Sequence, residues 1–570
     1  MQGVSLSPGV FLSALVVAPL VVAAFVLVLH VAIARAVGRD RVPKTLWRRI
    51  GLSASALQLV VGGGWLWSSF DPEALGPQLV GRWEWLPQYG FHFHFAIDGL
   101  SLFPVLLVLF VVPVACWSTP SKAERFTAGA VARVLAVQSG VLGVLLSVNV
   151  MQLHLFWTLL LLPTFFVIVS WGGPRPMRSA FSWLVPAALG SALMLFVLIV
   201  VHRLGYEQLH VWVFDLVSGR GNGAPGLLDV VVPVHGPQST LFVALLAAVA
   251  MRMRAFPFHV WSSTATEHAP PDGFVLLDVL QGVVGVYIVV RVGLPLLPEG
   301  AASVAPWMSV IAVVGLVYGA LVAGAQHDLR RLQAYAQTAA LGLVTLGVFT
   351  LAEHGLVGAL IHGWSVALAS SAVLVLVGLL VDRRASTELS DYGGLSKPMP
   401  VFSLLFAVSL FAFSGIPGTL GFVGELLVLA GGFARSPGLA LVALLGVLIS
   451  GACLLRAYRE VALGPVENPE NRGLIDLGWS ERAGVLALLL PVIVLGVHPN
   501  PMLRRVEPAV LEVLHVMELR SALATDAELP GDADAQLGAV SAGEPNHSDP
   551  EAGSARPSPG SQLARAAEAP

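Results

Sequence analysis

Apolar residues fill this chain in runs of about 20, the length that crosses a bilayer as a helix, with short polar stretches between them. About 14 such runs can be marked by that criterion. Two of them do not read as simple spans. From Thr240 an apolar run meets Arg252 and Arg254 and breaks at Pro257. It then passes a polar stretch holding His259, Glu267, His268, Pro270 and Pro271, and resumes near Gly273 with Asp278 and Gln281 inside it. A second run, from Val401 to Ala430, is interrupted by Ser414-Gly-Ile-Pro-Gly-Thr-Leu-Gly421, with Glu425 just beyond. A helix broken at membrane depth is tolerated only against protein or a water-filled cavity, and one in each half of the chain marks an inverted-repeat transporter. The pattern predicts an all-α polytopic membrane protein with two inverted five-helix repeats, each holding a discontinuous helix. The expected units are 1–131 (three spans and an outer loop), 132–293 and 305–460 (the two repeats), 461–519 (a last span and outer segment) and 520–570 (a disordered tail).

Composition agrees with that pattern. Of 570 residues, 56% are hydrophobic and 12% charged, more apolar surface than a soluble fold requires. The net charge of −3 says little, because in such a chain the placement of charge matters more than its sum. The loop after the first run carries Arg35, Arg39, Arg41, Lys44, Arg48 and Arg49, and later basic pairs such as Arg330–Arg331 and Arg383–Arg384 fall on the same side by alternation. The positive-inside bias makes that side cytoplasmic and puts both termini outside. The first apolar run is too long for a signal-peptide core and reads as a span. Cys116 and Cys453 are the only cysteines, which excludes a disulfide framework and a locally ligated iron–sulfur cluster. The aromatic stretch 82–95 suits a membrane interface.

Ionisable residues inside apolar spans are the candidates for chemistry, since a charge at the bilayer centre costs about 2.5–3.5 kcal/mol. They are Arg252, Asp278 and Glu425, with Gln281 on the same helical face as Asp278. His259, Glu267 and His268 sit at the first break, where they suit proton entry or helix capping. Plainer readings stand beside these: Arg252 snorkelling from a helix end, Pro257 ending the helix, glycines serving close packing. His92 and His94 alternate on a strand-like stretch but lack a further metal ligand, so they read as interface histidines. There is no phosphate-binding loop, dinucleotide fingerprint or nucleophile constellation. No cofactor is therefore expected in this chain.

In order, the stretches AIDGLSL (96–102), PFHVW (257–261), EHAPPDG (267–273), DLRRLQAY (328–335) and SGIPGTLGFVGE (414–425) resemble the antiporter-like M-type subunits of respiratory complex I, the proton-translocating NADH–quinone oxidoreductases. The resemblance implies two half-channels joined along a hydrophilic axis. It also implies a fifth-span glutamate, lysines on the seventh and eighth spans, histidines on the tenth and eleventh, and a terminal glutamate. Those positions here hold Thr158, Arg252, Val283, Ala340 and Val366, with His362 one turn from the last; only Glu425 is kept. Lysine can give up its proton when buried, whereas arginine stays charged, so Arg252 can attract or repel but not relay.

The implied function is a membrane-arm subunit that couples electron transfer to proton translocation, carries no redox centre itself, and has an impaired N-terminal half-channel. The implied partners are L- and N-like paralogues and the lipid bilayer, with no nucleic acid, in a bacterial inner membrane. Alternatives are a subunit of a multisubunit cation/proton antiporter, a membrane-bound hydrogenase or an inorganic-carbon uptake complex, and a non-conducting spacer.

Overall fold

Long apolar segments cannot leave backbone groups unpaired in hydrocarbon, so they fold as helices, and helices make up almost all of this structure. The computed structural model describes residues 7–37, 44–118, 127–170, 175–217, 225–232, 237–261 and 271–528. Helices α1 (Pro8–Val37) and α2 (Thr45–Ser69) precede a hairpin of β1 (Gln78–Leu86) and β2 (Phe91–Ile97). Then come α3 (Gly99–Ser118), α4 (Ala128–Leu146), α5 (Val150–Leu159), α6 (Leu161–Ser170) and α7 (Pro176–Leu209). The first broken span gives α8 (Pro237–Met253), and α9 (Pro271–Ile288) follows it. Next are α10 (Pro298–Gly324), α11 (Leu329–Phe349) and α12 (Glu353–Arg384). The second broken span is α13 (Pro400–Phe413) and α14 (Leu420–Arg435), and α15 (Pro437–Ala462), α16 (Trp479–Val497) and α17 (Asn500–Glu528) close the chain. The protein is thus an all-α polytopic membrane protein with one small hairpin among the described residues. Against an expectation of about 14 spans, ten described helices are long and apolar enough to cross a membrane by themselves. Four shorter apolar helices accompany them, Pro237–Met253 and Pro400–Phe413 among them, which end at the two breaks.

Helix α12 is the centre of the bundle. It is buried along nearly its whole length and packs against α9, α11, α13, α14 and α16. Charge organises the ends. Asp98 caps α3, its carboxylate accepting from the amides of Leu100 (3.1 Å) and Ser101 (3.0 Å), and it is ion-paired with Arg291 in the π turn Val289–Gly293 after α9. The AIDGLSL stretch is therefore a joint between distant helices. Asp328 likewise caps α11 through the amides of Arg330 and Arg331.

One segment agrees with its strand-like reading and another differs from the expectation drawn from composition. The strand-like stretch is a true strand, paired antiparallel so that Arg82 faces His94 and Trp83 faces Phe93, with Trp85 stacked on Phe93 at 5.3 Å. Order does not end at Arg520, however, because α17 runs on to Glu528. Val513, Met517, Arg520 and Ala524 recur on one helical face and are all buried. The Arg520 guanidinium donates to the carbonyls of Leu228, Val230 (2.7 Å) and Leu296 (3.2 Å). An average over the polar tail hides a four-residue stripe of this kind.

Buried Asp215 fastens the hairpin to the helices. Its carboxylate lies 3.2 Å from His94 Nδ1 and 3.5 Å from Arg82, and accepts from Asn149 Nδ2 at 2.9 Å. Burial alone would raise its pKa, but bonding from His94 and Asn149 and the charge of Arg82 outweigh burial and hold it below the usual 3.8. A folded-state pKa below the unfolded one gives stability that is present above about pH 4 and lost as pH falls through the folded value. Hydrogen exchange over residues 78–97, corrected for the intrinsic pH dependence of amide exchange, should therefore be slow at neutral pH and rise only under acid conditions. In Asp215→Asn it should already be fast at pH 7, and equal protection in that variant would show that Asp215 does not hold the hairpin.

Candidate functional site

The second break is built by glycine. Helix α13 ends at Phe413, and the chain turns through Gly415 at φ +68 and Gly418 at φ +94, a region open mainly to glycine, before Leu420 starts α14. A Cβ on Gly415 would collide with the carboxyl of Glu425, so the loop rests directly on that acid. Glu425 is 8% exposed, and its Oε1 lies 4.0 Å from Nδ1 of His362 on α12. His362 is also 3.4 Å from the carbonyl of Gly421 at the start of α14. Gly424 permits this approach, since a Cβ there would come within 2.5 Å of the His362 backbone nitrogen. On its other side Glu425 borders a cavity of about 500 Å³ with Phe411, Ser414, Pro417, Leu429 and Val447. The arrangement is an acid at the edge of a cavity with a histidine behind it, and it can hold and hand on a proton.

The first break is built differently. Helix α8 ends at Met253, Arg254 adopts φ +61, and the chain turns through residues 255–259. His259 is buried among the rings of Phe256, Tyr318 and Tyr335, at centroid distances of 5.6, 5.3 and 6.0 Å. Arg252 is fully buried. Its Nε donates to Gln281 Oε1 at 2.8 Å, and its Nη1 donates to the carbonyl of Trp157 at 2.5 Å. Its guanidinium lies 4.0 Å over the Trp157 ring, with Trp183 at 5.9 Å. A desolvated cation–π contact supplies about 2 kcal/mol and each hydrogen bond to a charged group about 1.5–3 kcal/mol, which offset part of the cost of holding the cation in the membrane. The Thr158 hydroxyl is bonded to His154 Nε2 at 3.2 Å, one turn earlier on α5, rather than to Arg252.

Between the halves, Val283 and Val366 line a cavity of about 40 Å³ together with Gln337 and Ser370. A water needs about 10–15 Å³ and two to four polar partners, so the cavity has the volume for two or three waters, with Gln337 and Ser370 as its polar side chains apart from Tyr287, which is bonded to the Leu145 carbonyl. The structure thus brings Arg252 to Gln281, and Glu425 to His362, as two separate groups. Glu267 and His268 lie outside the described residues, and Asp278 sits on α9 with an undescribed side chain. Sequence reasoning missed His154, Gln337 and Ser370. The available signals were a histidine one helical turn from Thr158 and the i, i+4 pair Gln333 and Gln337 in an apolar helix.

The model of the family described as NADH:quinone oxidoreductase/Mrp antiporter, TM, matches residues 147–450, more than half of the chain and both breaks. The chain belongs to this family. Among NADH:quinone oxidoreductase/Mrp antiporter relatives, the NADH-quinone oxidoreductase subunit M of Rhodobacter capsulatus is 31% identical over 79% of this chain and 87% of its own length. That of Rickettsia prowazekii (strain Madrid E) is 30% identical over 76% and 86%. The fold is shared with a chain of respiratory complex I from Thermus thermophilus with bound NADH, at TM-score 0.77 and 24% identity, covering 89% of this chain and 99% of that one. It is shared too with a chain of the Mrp complex from Dietzia sp. DQ12-45-1b, at TM-score 0.69 and 17% identity, covering 89% and 98%. The hairpin and α17 lie outside the segment the family model matches.

Within this family fold, the Glu425 site depends on close helix approach. Gly424→Ala should therefore cost about 1–3 kcal/mol by overpacking against α12. A lowered Tm of the purified protein, with less of it recovered from membranes, is the expected result; wild-type values for both would refute the packing argument.

Proposed function

We propose that this chain is an M-type membrane-arm subunit of a complex I-like NADH–quinone oxidoreductase, with proton transfer concentrated in its C-terminal half. The observation that supports this most is the contrast between the two breaks: a buried acid beside a histidine and a large cavity at one, a permanent cation without a carboxylate partner among the described residues at the other. In this reading Glu425 is the protonatable exit group and His362 passes protons to it. The N-terminal half does not carry protons by the relay its relatives are expected to use, because arginine cannot release its proton. Electrons pass through other subunits, and this chain holds no redox centre. It works beside L- and N-like paralogues in a bacterial inner membrane, with both termini on the outer side.

A second reading is favoured by the cavity at Val283, which Gln337 and Ser370 also line: protons cross between the halves through water there, by way of Gln281 two residues earlier on α9. Reconstitution into vesicles with NADH and quinone separates the two. Glu425→Gln should lower the protons moved per electron by the share this subunit contributes, with a smaller loss of electron transfer. An unchanged ratio would remove Glu425 from the path. In Gln281→Leu the ratio should stay as in the wild type, and a clear fall there would establish the rerouted path instead.

A further inference from the structure

The hydrogen bonds around Arg252 leave an excess of one kind of group. Four buried donor nitrogens there have no acceptor among the described residues, Arg252 Nη2, Gln281 Nε2 and the indole Nε1 atoms of Trp157 and Trp183; His154 Nδ1 is also unpartnered, its role set by the ring tautomer. They cluster, because Gln281 Oε1 is already held by Arg252 Nε, both indoles flank the guanidinium, and His154 is bonded to Thr158 one residue from Trp157. Nη2 shares with Nε the edge of the guanidinium that faces the Gln281 amide. Buried polar groups are normally satisfied, so several unmet donors around one cation point to a missing acceptor. That acceptor is also wanted electrostatically, since Arg252 is fully buried, stays protonated, and has Thr158 rather than an acid one residue beyond Trp157.

We propose that this cluster binds a small monovalent inorganic anion, chloride being the type, against Arg252 Nη2 and Gln281 Nε2 with the Trp157 and Trp183 indoles as further donors. A donor-only lining suits an ion that only accepts hydrogen bonds. A single negative charge neutralises the one cation, whereas a divalent anion would leave an uncompensated charge at membrane depth. The bound ion would stand in for a carboxylate at position 158, and the site requires no proton conduction, so the outcome of the Glu425→Gln experiment bears on neither its presence nor its absence.

Hydrogen exchange of the purified complex, read in the peptides covering α5 and α8, tests this with chloride titrated against gluconate at fixed ionic strength. Wild type should show saturable slowing in chloride, and Glu425→Gln should respond in the same way. Thr158→Glu, which supplies the negative charge covalently, should be slow in both salts and lose the response. Gln281→Met, which removes one donor and does not depend on a new acid folding correctly, should raise the half-saturating chloride concentration about tenfold. Identical exchange of the wild type in the two salts would overturn the proposal, as would a chloride response that survives Thr158→Glu or is unshifted in Gln281→Met.

Discussion

Hydrocarbon does not solvate charge, and the packing of this chain follows from how each buried ion is answered. Asp98 and Arg291 answer each other, and in doing so tie the start of α3 to the end of α9. Arg383 and Glu481 do the same between α12 and α16, at 2.6 Å. Arg520 is met by three carbonyls. These contacts lie at helix ends, where backbone groups are unpaired and the transfer cost falls toward the interface. Among the described residues, Arg252 and Arg254 are buried at the first break and Glu425 at the second.

The breaks solve the same backbone problem with different materials. Around residue 415 glycine lets the loop press on the carboxyl and lets α14 reach α12, so an acid and a histidine come close in a tightly packed place. Around residue 257 aromatic rings fill the gap and enclose His259, while indoles cover Arg252. Glycine brings backbone directly against the acid, whereas rings packed largely edge to face enclose the histidine. The halves share a plan but differ in how each break is packed.

Much of this was legible in the sequence because membranes make errors of placement expensive. Apolar runs, Pro257, the Ser414–Gly421 interruption, Arg252 and Glu425 all stand out against a background that tolerates few of them. The pairing of Arg252 with Gln281 was not legible, because i, i+3 spacing put Gln281 beside Asp278 and said nothing about a helix 29 residues away. Nor was the cavity at Val283, since a void is made by what several helices fail to fill. Asp215 escaped notice as an ordinary loop acid; only the fold brings Arg82, His94 and Asn149 around it. The inward stripe of α17 was diluted by the polar tail that follows it.

Helix α17 acts as a cross-brace. It belongs to the end of the chain, yet Glu512 accepts from the amide of Gly76 at 3.0 Å and Arg520 grips the 228–230 segment and Leu296, while the helix also packs on α12. The first and second halves are thus pinned together at the hairpin side, as the arms of a clothes-peg are pinned at its spring. The two halves cannot separate at that end without breaking the bonds that Glu512 and Arg520 make.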